Sequence, residues 1–519
     1  MQSSARFVAA QPAKPPTPPG IAHPQHPTKE MSEEEVEREK TRLEKEVGAA
    51  FARDDYTKAE ALLRELVPLD HENFVPWYNL ACALSMQGGK DKIEEGVKML
   101  QQAIARGFAD RTRLETDEHL ANVRTTDAYR AIITSWDAML AKRAERVVED
   151  AKTQYKVGQP GSPYTLTRDE KLHLVYVSAF DPQLFAEGKK EIEQLTRWWE
   201  RHVLPVDEPW RAEKGQSTPT VLVLLPTRDD YYAWAKSRFG DLYDRIGGEY
   251  SHDNKKLVAM DLGATLRHEY WHVLHWRHMD QLGQRQPLWV MEGLCSLVED
   301  VDTGPGDSMI VKPSWRSNMV RRLARAGSLT PWQTLFTMDR KRFIGSRPLA
   351  MYAQSRAVFM YLHERGKLRD WYTAYVQTFK EDPSGLTAMT TAFNRPLKET
   401  ERDFRDWAKK LPEVVEEVGA GPANLPVDLG PGSGDGPEVT SQPSIDFIRG
   451  GGTKPADTGR GGALKFRDVI TSIDGKPIRD LQDLARILGE YEAGTTVTVG
   501  YRRGKQHAET QVKLVPPRR

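Results

Sequence analysis

Cysteine is nearly absent from this chain. Cys82 and Cys295 are the two among 519 residues, each inside an apolar helical pattern, so a disulfide framework is excluded and both read as buried thiols. Long apolar runs are missing as well. The longest lies near Val221–Leu225, far short of the roughly 20 residues that span a bilayer, so no transmembrane segment is expected. Nor does one sign of charge dominate: Lys plus Arg and Asp plus Glu number 74 each. With no dense basic block, there is no electrostatic reason to expect nucleic acid or an anionic membrane as the main partner. Residues 1–31 lack the charged start and long apolar core of a signal peptide, and their prolines disfavour helix and sheet. They read as a disordered Pro-rich tether. Such a leader also fits an exported protein whose signal has been removed, periplasmic or extracellular, as against a cytoplasmic one, and the compartment stays open.

What is present divides into modules, as the length requires. Over 32–142 the pattern is helical: AFARDDYTKAEALLRELVPLD and VPWYNLACALSMQGGKDKIEEGVKMLQQAIARGF repeat alanine, leucine and aromatic positions, with Pro68 and Gly88 expected at turns. This spacing resembles tetratricopeptide repeats, whose stacked helical pairs form a concave surface for a protein partner; a plain helical bundle is the alternative. The region 155–411 begins with strands in KLHLVYVSAF, TPTVLVLLP and KLVAMD separated by helices, and becomes mostly helical after Pro287. Residues 412–440 read as a Gly/Pro-rich linker. In 441–517 the order strand, IDG turn, helix and two closing strands resembles a bacterial PDZ domain, although Arg467-Asp468 replaces the usual Gly-Asp and the carboxylate-binding loop is hard to recognise in IDFIRGGGTKPADTGRGG. A structural cap of the same topology is the other reading. The fold expected is a multidomain α+β chain: an all-α repeat domain, a mixed α/β plus helical catalytic domain, and a small β-rich module.

The chemistry concentrates in ATLRHEYWHVLHW and the LWVMEGLCSLVED that follows. Four residues apart on one helix, His268 and His272 share a face about 6 Å apart along the axis, so both imidazoles can reach a single zinc ion. Glu269 projects toward the same cleft, placed to take a proton from a water that the ion activates. A catalytic site needs a third protein ligand and an open fourth position. Glu292 is the candidate, opening a second segment with Trp289, Leu294, Leu297 and Val298 in apolar phase. His278 is a rival, because it stands where metzincin proteases carry a third histidine. That geometry needs a sharp turn, for which metzincins use glycine where this chain has His275. If the helix continues, His278 lies about 240° round the axis from His272 and points away, leaving both as exposed or packing histidines. Cys295, one turn after Glu292, is read as a buried thiol rather than a ligand.

HEYWH with WVMEGLCSLVE resembles the gluzincins, the thermolysin and aminopeptidase-N clan, and especially bacterial proteins with a peptidase MA-like domain. The resemblance implies a zinc metallopeptidase acting on a peptide or protein substrate. It extends to PLAMYAQSRAVFMYLHERG, which by that likeness makes Tyr352 the hydrogen-bond donor to the tetrahedral oxyanion; a core aromatic is the other reading. Glu299 matches an acidic position of the aminopeptidase pattern that would support a ligating imidazole, or is a surface charge. Two features depart from the pattern. Ser296 stands where thermolysin has an aspartate, and the aminopeptidase anchor GxMEN is missing, with Glu249 only a loose echo, which puts exopeptidase action in doubt. KLVAMD or its partner GEYSHD is expected to be the edge strand that pairs with a substrate backbone. The competing function is a non-catalytic adaptor in which helical repeats and the PDZ-like module bind peptides around a structural or degenerate zincin domain.

Overall fold

The computed structural model describes residues 32–71, 73–206, 220–304, 308–345, 347–441 and 464–517. The expected leader and the glycine-rich stretch before Leu464 lie outside the described residues. These fall into two compact units, the first running to Glu145 and including His252–Asn254, the second made of Arg146–Ser251 and the described residues from Lys255 on. Among the described residues no helix is long and apolar enough to cross a membrane.

The first unit is helical, with helices Glu33–Phe51, Tyr56–Leu69, Phe74–Gln87 and Lys90–Ala105 followed by shorter turns and the start of Asp127–Gln154. Polar caps define the starts: Ser32 and Glu35 form a reciprocal capping box, and Asp55 and Asn73 each accept a first-turn N–H. One core is built from Leu43, Ala59, Leu63, Leu80 and Leu84, and a second from Tyr78, Leu100, Phe108 and Trp136. Pro68 does not sit in a turn. It occupies the last turn of Tyr56–Leu69, one residue before the end, where its missing N–H removes the bond a helix would make to the Arg64 carbonyl. Gly88 does end its helix, at φ 73°, a conformation that glycine adopts without strain.

The second unit opens with a five-stranded sheet: β1 (Thr165–Asp169), β2 (Leu174–Ser178), β3 (Val221–Leu225), β4 (Gly248–Ser251) and β5 (Lys256–Ala259), in the order β1-β2-β3-β5-β4. The central pairs β2–β3 and β3–β5 are parallel, while β1 and β4 run antiparallel at the edges. Every residue of β2 and β3 is buried, because parallel strands are covered on both faces and read as continuous apolar runs. The pleat sends Val221, Val223 and Leu225 toward Trp198, Trp199 and Trp271, and Leu222 and Leu224 toward Val148, Ala151 and Tyr231.

Beyond β5 come helices Ala264–Leu282, Leu288–Leu297, Trp315–Arg325 and Pro348–Glu364, then shorter ones to Ala408. Their core is aromatic: Trp289 stacks on Phe336 with ring centroids 3.7 Å apart, beside Phe359 and Trp371. Gly293 is dictated by close packing, since a Cβ there would stand 2.7 Å from the Phe359 ring and 2.9 Å from the Ser355 carbonyl oxygen.

The 412–440 segment departs from the linker reading. Val414 exchanges hydrogen bonds with Asn318, and strands Asp428–Gly430 and Glu438–Ser441 join the C-terminal sheet beside Val469–Ile473, Thr496–Arg503 and Gln506–Lys513. Ala423, Leu425, Val427 and Val439 enter that module's core. The glycines that look like flexible punctuation serve tight packing instead: a Cβ at Gly434 would stand 2.7 Å from the Met260 carbonyl oxygen, and one at Gly436 2.8 Å from that of Ile470. The IDG turn forms as expected, with Asp474 and Gly475 both at positive φ, 47° and 76°.

Candidate metal centre

Helix Ala264–Leu282 runs from Gly263 to Gly283, which takes the left-handed conformation that ends helices. Most of its surface is buried, including Tyr270, Trp271, Val273 and Leu274, so it lies inside the domain rather than on it. Asp261 fastens the entry, its carboxylate accepting from the Gly263 and Thr265 N–H groups at 2.9 and 3.1 Å. Gly248 lets β4 lie close against this helix: a Cβ there would stand 2.9 Å from Glu269 Cγ and 2.7 Å from Thr265 Cγ2.

On this helix and the next, the structure brings three of the expected residues together. Glu292 Oε2 is 3.5 Å from His268 Nε2 and 3.6 Å from His272 Nε2, and one donor atom from each of the three lies within 4.8 Å of the others. Two donors bound tetrahedrally about 2.0–2.1 Å from one ion stand about 3.4 Å apart, so the spacing suits a divalent cation. The His268 ring is oriented from behind, its Nδ1 lying 2.8 Å from Glu299 Oε1, which turns Nε2 toward Glu292. Glu299 is itself gripped by the buried Arg316 at 2.7 and 2.9 Å. Glu299 is therefore no surface charge.

The electrostatics follow from this crowding. Burial alone would raise Glu292, but the two imidazoles hold it well below the usual carboxylate range. Glu299 is also lowered: burial opposes ionisation, and Arg316 and His268 override it. Burial would depress His268, yet Glu292 and Glu299 on either side push it up to about 10. Glu269 goes the other way, raised because burial outweighs the attraction of His268 and His272. Its Oε2 accepts the N–H of Tyr250 on edge strand β4 at 2.7 Å.

Tyr352 is not part of the three-residue cluster. It is buried on Pro348–Glu364, its ring 5.5 Å from that of Phe343 and 6.0 Å from the Arg316 guanidinium. It is thus linked to the cluster through Arg316, Glu299 and His268. Cys295 is buried, its thiol raised well above the ordinary range by burial, and it does not join the cluster. Glu249, on β4, is held by Arg238 through both oxygens at 2.9 and 2.8 Å.

The helix passes through His275 and His278 without a break, so the turn that would return His278 to the cluster does not form. Both histidines are fully buried rather than exposed: His275 Nε2 is 2.7 Å from Gln286 Oε1 and His278 Nδ1 is 2.9 Å from the Tyr372 hydroxyl. Burial pushes His275 down to about 3. An unfolded chain, with histidine near 6.5, binds the proton that the folded chain refuses, so stability is lost as pH falls from about 6.5 toward 3. At pH 5 this single group costs about 2 kcal/mol. Urea unfolding followed by tryptophan fluorescence should therefore show His275→Gln losing about 2 kcal/mol less than the parent between pH 7 and 5; equal losses would contradict the assignment.

Sequence reasoning missed Arg316, Arg267 and Gly248. Arg316 carried a signal, since it falls in phase with the buried Val320 and Ala324 of Trp315–Arg325, a charge on the apolar stripe. Arg267, whose guanidinium meets Glu191 at 2.9 Å and the Glu299 carbonyl oxygen at 3.1 Å, looks on paper like any helical arginine.

Comparison with known proteins bears mainly on the C-terminal module. A family model described as PDZ domain matches residues 454–514, and the chain therefore contains a PDZ domain, a module that binds peptides and proteins. Over 80 residues, 15% of this chain, it is 30% identical to "Protease Do-like 8, chloroplastic" of Arabidopsis thaliana, and it spans only 18% of that protein's length. Among solved structures, an aminopeptidase N family protein from Idiomarina loihiensis aligns over 66% of this chain and 65% of its own, at 14% identity and a TM-score of 0.21.

Proposed function

We propose that this protein is a zinc-dependent peptidase of gluzincin type. The observation that carries the reading is the convergence of His268, His272 and Glu292 donor atoms within 4.8 Å, on two adjacent buried helices. Two imidazoles and one carboxylate are the donor set of a catalytic zinc site, with the fourth position left for solvent or substrate. An ion bound there supplies Lewis acidity, polarising a peptide carbonyl and making a water acidic near neutral pH.

The protein's own groups do the rest. Glu269, its proton affinity raised by burial, takes the proton of the attacking water and passes it to the leaving amine. Its hydrogen bond to Tyr250 N ties the base to β4, so strand and base keep a fixed spacing. The outer edge of β4 offers backbone groups to an extended peptide, which would set the scissile carbonyl beside the cluster. Tyr352 is assigned to oxyanion stabilisation, with Arg316 holding it in relation to the histidine end of the site. Internal cleavage fits better than removal of N-terminal residues, since both Glu249 oxygens are committed to Arg238 and make a poor anchor for a substrate ammonium.

The adaptor reading keeps the PDZ domain and helical unit as peptide-binding surfaces around an inert centre. Glu269 weighs against it: a purely structural zinc site has no use for a base and fills its fourth position with protein.

Metal content and cleavage of an unstructured protein such as casein test the proposal together. The expected result is about one zinc per chain, cleavage lost on treatment with 1,10-phenanthroline, and activity restored by added zinc. Cleavage undiminished in the metal-free chain, or a chain that takes up no zinc, would refute it.

A further inference from the structure

We infer that the PDZ domain positions the histidine-bearing helix, and that Asp480 is the positioning residue through which it does so. The inference rests on the metal-centre reading for its functional consequence but stands on contacts of its own.

A helix begins with N–H groups that have no partner within it, and the residue that normally supplies a capping side chain is here Gly263, which has none. Asp261 takes the N–H groups of Gly263 and Thr265. That of Ala264 is taken from the far end of the chain: it donates to Asp480 Oδ2 at 3.1 Å. The other oxygen, Oδ1, accepts the Asp483 N–H at 2.7 Å and caps the PDZ domain's own helix Leu481–Leu488. One carboxylate thus closes the starts of two helices. The bare Gly263 is the condition for this, because a Cβ there would stand 2.5 Å from Asp480 Oδ2 and 2.7 Å from Arg479 Cβ.

Neighbouring contacts hold the carboxylate in place. Arg479 meets Glu187 at 2.9 Å, Gln482 donates to Asp300 at 2.9 Å, and Arg486 meets Asp302 at 2.7 Å. Asp483 lies 3.7 Å from Arg267, which immediately precedes His268 and donates to the backbone oxygen of Glu299, the residue that orients His268. Ala264 is one helical turn before His268, so loosening of this first turn reaches His268 before any other proposed ligand.

Asp480→Ser in the full-length protein separates the two caps. Serine is a good cap for its own helix, but its shorter side chain withdraws from Ala264. Three readouts apply, none of them catalytic: amide hydrogen exchange across 264–272 in the metal-free chain, the rate of zinc release to a chromogenic chelator, and the visible spectrum of the cobalt-substituted protein. The variant should exchange faster over 264–272 with Leu481–Leu488 still protected, release zinc faster than the parent, by up to the roughly tenfold that loss of a ligand's direct supporting partner costs in affinity, and show an altered cobalt band. Asp480→Ala should match it on the first segment while also loosening 481–488. Parent-like exchange, release and spectrum in Asp480→Ser would overturn the inference while leaving the metal centre intact. A parent that binds neither metal would overturn the metal-centre reading, with the exchange data then deciding the helix contact by itself.

Discussion

Replacing Glu269 with glutamine is expected to lower peptide hydrolysis by about 10³-fold, within the 10²–10⁴ range for loss of a general acid–base group, while zinc content stays at that of the parent. The substitution isolates proton transfer. Glutamine keeps the size of the side chain and an oxygen that can still accept the Tyr250 N–H, now at 2.7 Å from Glu269, so β4 and the helix should keep their contact. What disappears is a carboxylate with raised proton affinity. Single-turnover cleavage of a fluorogenic peptide, run beside a metal assay on the same sample, reads both quantities. Activity within tenfold of the parent would remove Glu269 from the mechanism.

Loss of Glu292 should have the other large effect, and on a different quantity. Glu292→Ala takes away the donor lying 3.5 and 3.6 Å from the two imidazole nitrogens. Zinc affinity should fall by more than the roughly 10–100-fold that loss of an outer partner costs, and hydrolysis should fall with it. His278→Ala is the matched control. It removes a buried ring hydrogen-bonded to Tyr372, so it should cost stability and leave zinc affinity near the parent's. Competition against a chelator of known affinity distinguishes the two. The opposite pattern, metal retained without Glu292 and lost without His278, would show that the ligand set is wrong.

The parts of this arrangement that were legible in the sequence are those governed by local periodicity. His268 and His272 share a face because a helix repeats every 3.6 residues. Glu292 was legible because WVMEG carries its own apolar phase. Of the two neighbouring segments KLVAMD and GEYSHD, sheet order puts the second, β4, at the margin of the sheet. What escaped notice depends on distance in space. The glycines of 412–440 carry the same composition whether they loosen a tether or admit a carbonyl at 2.7 Å, as Gly434 does. Pro68 looked like a turn because one residue's offset from a helix end cannot be resolved by pattern. The burial of His275 and His278 depends on Gln286 and Tyr372, and the capping of Ala264 on a residue 216 positions away. No window along the chain contains both members of that last pair.

The two strands at Asp428–Gly430 and Glu438–Ser441 have a practical consequence for anyone cutting the molecule into pieces. Glu438 pairs with Val469, so a fragment started after Ser441 would lay bare one side of that β-ladder and leave Val439 behind. Unsatisfied backbone along a sheet margin invites self-association. An excised module should therefore retain the chain from before Ala423.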